Sequence, residues 1–255
     1  MDSFSCSCHT ISPSDSHTHT VIFLHGRDST AEQFEQELFE SQASDGRYLR
    51  QIFPQFRWIF PKSQVRPSMR FGEEISQWFD MWSTEDPHAE RQIQLDGLRS
   101  SIALIRRVID VESKLVAPSR IILCGISQGC ATAISTLLCG SRMLGGFVGM
   151  CGWMPYVNEF SEAPNKLTEL HKLRSCLDEA AADAALEALA TPIFVARSQD
   201  DDVVPIQHST VMRKCLQDLG MQVTWQEYHT GGHWVHEPQG IDDLVDFMSR
   251  TLAAQ

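Results

Sequence analysis

Short apolar runs recur along the chain, and each ends at a glycine or a polar segment. In the run that begins at Thr20, four large apolar residues follow one another before His25 and Gly26. A run that is apolar at every position is typical of a strand buried on both faces of a sheet. We predict strands at residues 20–26, 58–61, 120–126, 145–152, 192–197 and 222–228.

Between these runs, apolar residues recur at steps of three and four. Within residues 89–113, Leu98, Ile102, Ile105 and Ile109 follow this spacing and leave charged residues on the opposite face. Such a pattern predicts an amphipathic helix. We predict further helices from about residue 30 to about residue 41, from residue 128 to about residue 139, and at residues 176–190, 206–219 and 239–252.

The alternation of strands and helices determines the expected fold class. Repeated strand–helix units give a mostly parallel central sheet with helices on both faces, so we predict an α/β protein. We expect a single domain at residues 19–255, behind a flexible polar tail at residues 1–18. Residues 62–77 are predicted to be irregular. Residues 157–191 interrupt the alternation and are predicted to be a helical insertion that acts as a lid, a structural element or a dimer contact.

Composition restricts the class of partner. The formal net charge of −12 argues against nucleic acid or an anionic membrane as the main partner. The N-terminus lacks the apolar core of a secretory signal, and no apolar run is long enough to span a bilayer. The eight cysteines include no Cys-x-x-Cys pair. We therefore expect reduced thiols, no stable membrane insertion and a cytoplasmic location.

One predicted strand leads directly into a Gly-x-Ser-x-Gly motif, Gly125-Ile-Ser-Gln-Gly129, which is followed by small residues suited to a helix. This is the context of a nucleophile elbow, in which a sharp strand-to-helix turn exposes the serine. Glycines are needed there because the turn brings two backbones close together. Amides at the start of the helix face the place where negative charge would develop. Ser127 is therefore the candidate nucleophile.

A serine hydroxyl needs a base to accept its proton and an acid to orient that base. Both are expected in loops after strands, in the chain order serine, acid, histidine. The loop after the fifth predicted strand contains three consecutive acids, Asp200, Asp201 and Asp202. The loop after the sixth contains three histidines, His229, His233 and His236. Each group falls where a catalytic triad requires it.

Together these motifs resemble those of the acyl-protein thioesterase/carboxylesterase family, of the phospholipase/carboxylesterase type, in the α/β-hydrolase superfamily. The matching segments are Leu24-His-Gly26, Trp78-Phe-Asp80, Gly125-Ile-Ser-Gln-Gly129, Gly149-Met-Cys-Gly-Trp-Met-Pro155, Asp201-Asp-Val-Val-Pro205 and Tyr228-His-Thr-Gly-Gly-His233. The resemblance implies an α/β-hydrolase fold with Ser127 as nucleophile, Asp201 as acid and His233 as base. The two acids beside Asp201 would be solvated loop residues, with Asp202 as the alternative orienting acid.

The resemblance also implies roles around this triad. The backbone amides of Arg27 and Gln128 would form the oxyanion hole. Trp78 and Met154 would bind substrate, with plain core packing as the alternative for both side chains. The segment after His25 departs from the His-Gly-Leu-Gly-Asp pattern of the family. The Arg27 side chain therefore either points to solvent or binds an acidic substrate.

These inferences predict a serine hydrolase that cleaves acyl esters or thioesters in two steps through an acyl-enzyme. The expected substrate is a small-molecule or protein-linked acyl ester or thioester. We expect no cofactor and no metal, because the sequence contains no cluster of ligands. The alternatives are an acyltransferase or another hydrolase with the same triad, and a non-catalytic small-molecule-binding module on this fold. The sequence leaves homodimerisation open.

Overall fold

Nine strands form two sheets in the computed structural model of the chain, which describes residues 8–253. In chain order they are β1 (Cys8–Ile11), β2 (His19–Leu24), β3 (Phe56–Pro61), β4 (Gln64–Pro67), β5 (Glu74–Gln77), β6 (Ile121–Ile126), β7 (Gly146–Met150), β8 (Ile193–Ser198) and β9 (Val223–Tyr228). The central sheet has the order β1-β3-β2-β6-β7-β8-β9, and its neighbours are parallel except for β1 and β3. The predicted mostly parallel sheet is confirmed.

The same part of the chain contains eight α-helices. They are α1 (Ala31–Glu40), α2 (Leu49–Ile52), α3 (Leu95–Glu112), α4 (Gln128–Leu138), α5 (Val157–Glu162), α6 (Lys166–Leu177), α7 (Ile206–Asp218) and α8 (Gln239–Ala253). Within residues 8–253, none of them is both long and apolar enough to cross a membrane.

The prediction of a helix at residues 176–190 is wrong. The helix of this region, α6, begins earlier, because the Asn165 side chain accepts hydrogen bonds from two amides of its first turn. It ends at Leu177, because the extended backbone of Asp178 leaves the helical path. The alanine-rich remainder forms two 3-10 turns, Glu179–Ala181 and Glu187–Ala190. Alanine favours helix but offers little apolar surface for packing, and most helical stability in proteins comes from such packing.

Two observed elements have no apolar run in the sequence to predict them. Strand β1 lies inside the predicted flexible tail and pairs antiparallel with β3, from Cys8 opposite Pro61 to Ile11 opposite Trp58. Residues 1–7 of that tail lie outside the described part of the chain. Strands β4 and β5 form an antiparallel hairpin within the stretch predicted to be irregular. Each of these strands is only four residues long and has few or no fully buried residues, so its sequence carries no clear pattern.

The helices bury apolar residues against both faces of the central sheet. Alternate residues of β2 point to opposite faces, so that Val21 and Phe23 join one buried cluster and Ile22 and Leu24 join the other. Helices α1, α2 and α8 contribute to the first cluster, and α3 to α7 contribute to the second. The predicted α/β architecture is therefore confirmed. The carboxyl ends of the parallel strands share one edge, where open α/β sheets bind ligands.

The insertion at residues 157–191 packs into the second cluster. Phe160 and Leu170 are buried there, and α5 and α6 contact α7 and α3, respectively. Arg174 is fully buried, and it donates hydrogen bonds to backbone carbonyls that precede it and that follow it in the chain. Its guanidinium bonds the carbonyls of Leu138, Gly140, Ala184 and Ala185. These bonds satisfy carbonyls at the end of α4 that have no partner within the helix, which gives the insertion a structural role.

We expect replacement of Arg174 by methionine to lower the free energy of unfolding by about 3 kcal/mol, because four carbonyls, of which that of Leu138 is buried, would lose a charged donor. Urea denaturation of the purified protein measures this change. The matched control is Arg142→Met, since Arg142 is exposed and pairs with the equally exposed Asp110. Equal stability losses in the two variants would contradict the structural role of Arg174.

Candidate active site

The turn between β6 and α4 holds Ser127 in a backbone conformation that few L-residues adopt. Its φ is 55° and its ψ is −124°, as the strained turn of a nucleophile elbow requires. A Cβ at Gly125 would lie 2.4 Å from the Gly129 backbone. A Cβ at Gly129 would lie 2.4 Å from the carbonyl oxygens of Leu24 and His25. These close approaches explain why the motif has glycine at both flanks.

The loops after β8 and β9 bring an aspartate and a histidine together. His233 Nδ1 lies 2.9 Å from Asp201 Oδ2 and 3.0 Å from Asp201 Oδ1. The amides of Val203 and Val204 also donate to Oδ1, each at 3.0 Å. Burial opposes ionisation of Asp201, but the hydrogen bonds from His233 and these amides outweigh it and lower the pKa of the carboxyl. The carboxylate is therefore charged, fixed in place and able to orient the imidazole.

The three consecutive aspartates of this loop have different environments. Asp201 is buried and bonds the imidazole of His233. Asp200 accepts hydrogen bonds, at 3.3 and 2.8 Å, from the amides of the two glycines that directly precede His233. Asp200 thus holds the histidine loop and is more than the solvated residue that the sequence predicts. Asp202 is exposed, and no hydrogen bond or ion pair of its side chain is found within residues 8–253.

Ser127 and His233 line one surface cleft with a volume of about 470 Å³. The apolar part of its wall consists of Phe34, Phe71, Ile75, Ile126, Val203 and Trp234. A cleft of this size and lining is suited to a small organic ligand or an acyl chain. The sequence did not identify these wall residues, because they come from separate segments that only the folded chain brings together.

Neither of the two predicted substrate-binding side chains lines this cleft. Trp78 and Met154 are fully buried in the second core cluster, which agrees with the core-packing alternative. Trp78 nevertheless contacts the elbow region. Its indole N–H donates to the His25 carbonyl at 2.8 Å, and its amide donates to the side-chain oxygen of Gln128 at 2.9 Å. These bonds connect the segments that carry the two predicted oxyanion donors.

Arg27 lines the cleft, but its side chain is bound to the β4–β5 hairpin and its surroundings. Nε donates to Gln77 at 2.9 Å, and Nη2 donates to Ser68 at 3.0 Å. The same nitrogen lies 3.6 Å from Asp80 Oδ1, and the guanidinium lies 5.3 Å from the centroid of the Phe71 ring. The predicted orientation toward solvent is therefore wrong, because the Arg27 side chain is only 12% exposed, and binding of an acidic substrate stays a prediction. The side chain fastens the hairpin beside the cleft.

Gln128 is the first residue of α4, so its amide has no partner one turn earlier in the helix. Its side chain is fixed at both polar atoms, because Nε2 also donates to the Phe79 carbonyl at 2.8 Å. The first turn of a helix carries the positive end of the helix dipole. The start of α4 can therefore stabilise negative charge that develops beside Ser127.

One cysteine lies against the acid and the base. The ligand atoms of Cys151, Asp201 and His233 all lie within 4.8 Å of one another. Burial raises the pKa of the Cys151 thiol, and Sγ donates to the Trp234 carbonyl at 3.6 Å. A thiol must lose its proton to bind a metal, and the other two groups already bond each other. We therefore interpret the group as a hydrogen-bonded cluster. The seven cysteines of the described residues are all free, and Cys6 lies outside that range.

Known proteins share both the sequence pattern and the fold. A family model described as Phospholipase/Carboxylesterase matches residues 7–179. Acyl-protein thioesterase 1 of Schizosaccharomyces pombe is 30% identical over 208 residues, which cover 81% of this chain and 79% of that protein. Acyl-protein thioesterase 1 of Gibberella zeae is 25% identical over 241 residues, which cover 92% of each chain.

Solved structures of low sequence identity have the same fold. Acyl-protein thioesterase 2 of Zea mays matches with a TM-score of 0.68 and 22% identity, over 96% of this chain and 98% of that one. Esterase PE8 matches with a TM-score of 0.70 and 20% identity, also over 96% and 98%. The chain therefore belongs to the phospholipase/carboxylesterase family of α/β-hydrolases, a family of enzymes that hydrolyse ester or thioester bonds.

Proposed function

We propose that Ser127, His233 and Asp201 form the catalytic triad of this ester or thioester hydrolase. The observation that carries the proposal is the two-point contact between His233 Nδ1 and the Asp201 carboxylate, with His233 and Ser127 on the same cleft. Because Nδ1 faces the carboxylate, Nε2 is the nitrogen left to accept a proton. This is the tautomer that a general base for the serine hydroxyl needs.

The first step transfers the acyl group to the enzyme. Ser127 Oγ attacks the acyl carbonyl carbon while His233 Nε2 takes the hydroxyl proton. The tetrahedral adduct then collapses, the C–O or C–S bond breaks, and the leaving alcohol or thiol takes the proton from the imidazolium. Asp201 stays ionised throughout, because its low pKa keeps it charged at neutral pH, and it stabilises the positive imidazolium.

The amides of Arg27 and Gln128 donate to the oxyanion of the tetrahedral adduct, and each contributes about 10²–10³ in rate. The position of Gln128 at the start of α4 supports its role. The position of Arg27 on the cleft beside Ser127 supports the second donor. Fixed side chains on both residues hold the two amides without reorganisation during the reaction.

The second step returns the enzyme to its starting state. His233 takes a proton from water while the water oxygen attacks the acyl carbon. The bond from that carbon to Ser127 Oγ then breaks, and the imidazolium returns the proton to Oγ, which releases the carboxylic acid and free Ser127. The substrate is a small-molecule or protein-linked acyl ester or thioester, with its acyl chain against the apolar wall of the cleft. The thioesterase names of the relatives support this class. Free cysteines among residues 8–253 support a cytoplasmic location. Homodimerisation stays a prediction.

Trapping the acyl-enzyme tests the proposal. The reagent p-nitrophenyl dimethylcarbamate transfers its carbamoyl group to an activated serine. This carbamoyl ester hydrolyses slowly, so the adduct survives digestion and mass spectrometry. We expect one carbamoyl group, on the peptide that contains Ser127, and none on that peptide in a His233→Ala variant of normal fold. An adduct confined to another residue, or an equal adduct without His233, would contradict the triad.

Replacement of Asp200 by alanine is expected to lower kcat about tenfold, because the histidine loop loses two backbone contacts and His233 is misplaced. Steady-state hydrolysis of p-nitrophenyl butyrate measures the effect. Asp202→Ala is the matched control, since it removes the neighbouring exposed carboxylate, and it should leave kcat unchanged. Equal kcat values for the two variants would show that Asp200 does not hold the loop.

A further inference from the structure

Arg197, near the end of β8, is a buried charge that the mechanism above does not use. The residue is 1% exposed, and it takes part in no ion pair within 4.0 Å among the described residues. Its Nε is buried without a hydrogen-bond partner. Removing a guanidinium from water is costly unless other groups compensate it. The two terminal nitrogens, Nη1 and Nη2, both donate hydrogen bonds.

One nitrogen of Arg197 joins the two ends of the loop that carries the proposed acid. Nη2 donates to the carbonyl of Ser198 at 3.1 Å and to the carbonyl of Val204 at 3.3 Å. Between these two points, the Asp201 carboxylate accepts the amides of Val203 and Val204. The guanidinium thus holds the two ends of the loop together, and the carboxylate holds the loop amides between them.

The other terminal nitrogen connects this loop to the segment behind Ser127. Nη1 donates to Ser209 Oγ at 3.2 Å, and Ser209 Oγ donates to the carbonyl of Gly152 at 2.6 Å. Gly152 lies against the nucleophile turn, because a Cβ there would come within 3.3 Å of the Ser127 carbonyl oxygen. Arg197 therefore links the loop that carries the acid, through Ser209, to a segment that lies against the nucleophile turn.

We propose that Arg197 is a positioning residue that fixes the Asp201 loop relative to the nucleophile turn. This inference rests on the triad proposed above. Arg197 acts through Asp201 and does not line the cleft, so it does not contact substrate. A planar fork with several donors can reach three acceptors on two elements at once, whereas an ammonium group on a flexible stem holds them less rigidly.

Arg174 is a buried arginine with a purely structural role, and its variant can be compared with that of Arg197. It is equally buried and also donates to backbone carbonyls, but at the end of α4 that is opposite to Ser127. If Arg197 only supported the fold, Arg197→Met would resemble Arg174→Met, with lower stability and unchanged kcat per folded molecule. A positioning role predicts a loss of kcat that depends on Asp201.

A double-mutant cycle on p-nitrophenyl butyrate hydrolysis separates these roles. The proteins are wild type, Arg197→Met, Asp201→Asn and the double variant, each checked for fold by circular dichroism. We expect Arg197→Met to lower kcat about 10- to 100-fold with KM changed less than about threefold. In the Asp201→Asn background the same change should cost less than about threefold, because the carboxylate that it positions is gone. Arg197→Lys should retain more activity than Arg197→Met.

Two results would overturn the proposal: an unchanged kcat in Arg197→Met, or an equal fold-loss in both backgrounds. An Asp201→Asn enzyme with wild-type kcat would instead refute the triad, so the two failures are distinguishable. If Arg197→Met does not fold, Ser209→Ala removes one acceptor of the guanidinium and keeps its hydrogen bonds to the Ser198 and Val204 carbonyls. That variant should lose about three- to tenfold in kcat with Asp201 present and nothing in the Asp201→Asn background. Equal losses in both backgrounds would again overturn the proposal.

Discussion

Replacement of Ser127 by alanine is expected to lower kcat for ester and thioester hydrolysis by at least about 10⁴-fold, because the proposed nucleophile is lost. The change removes one oxygen and keeps a small side chain at the strained turn, so stability should change little. KM should also stay close to the wild-type value, because the cleft wall is unaltered. Steady-state kinetics with p-nitrophenyl butyrate and an acyl thioester of equal chain length measures both constants.

The residual activity of that variant decides the role of Ser127. Activity above about one hundredth of wild type, in a preparation free of contaminating esterase, would mean that another group performs the attack. A loss for oxyesters with normal thioester turnover would mean that the two reactions use different nucleophiles. One serine for both reactions requires parallel losses.

Replacement of Asp201 by asparagine is expected to lower kcat by about 10⁴-fold. An amide facing His233 Nδ1 favours the wrong tautomer of the imidazole and no longer stabilises the imidazolium. Asp202→Asn removes the same charge one residue away, where the side chain is exposed, and should retain wild-type kcat. If Asp202→Asn were the inactive variant, Asp202 would be the orienting acid.

The effect of Asp201→Asn on the free energy of unfolding is expected to depend on pH. The pKa of Asp201 in the folded protein lies below its ordinary value, so the ionised carboxylate stabilises the fold above that ordinary pKa. This contribution is lost as the pH falls through the lowered pKa. The difference in free energy of unfolding between wild type and Asp201→Asn should therefore be constant above the ordinary pKa of 3.8 and shrink as the pH falls below it in urea titrations. A constant difference would mean that the carboxyl is not stabilised in its charged form.

Elements with a strong apolar pattern were predictable from the sequence. The continuous runs of β2 and β6 were located to within two residues at either end, and the helix with the spaced apolar residues was predicted to begin six residues before α3 does. Strand β1 and the β4–β5 hairpin were not, because strands of four residues are stabilised by pairing with a neighbouring strand and leave no periodic pattern. The misplaced helix near residue 166 depended on the Asn165 cap, which composition does not reveal.

Part of the candidate site was likewise predictable from the sequence, and part was not. Ser127, Asp201 and His233 could be named from motifs, because each stands at a fixed place after a strand and the fold brings those places together. The wall of the cleft could not, since Phe71 and Trp234 meet there from distant segments. The contacts of Arg27, Asp200 and Arg197 were also beyond sequence reasoning. A charged residue in a loop or strand is usually solvated, and only the folded chain shows which one is bound.

Labelling with a fluorophosphonate probe, followed by peptide mapping, tests the activation of Ser127 most directly. The probe phosphonylates a serine only where a base and an oxyanion site activate it. We predict one adduct per wild-type molecule, located on Ser127, and no adduct in the folded Ser127→Ala or His233→Ala variants. Labelling that persists in Ser127→Ala, or a folded wild-type protein that takes no label while hydrolysing esters, would contradict Ser127 as the nucleophile.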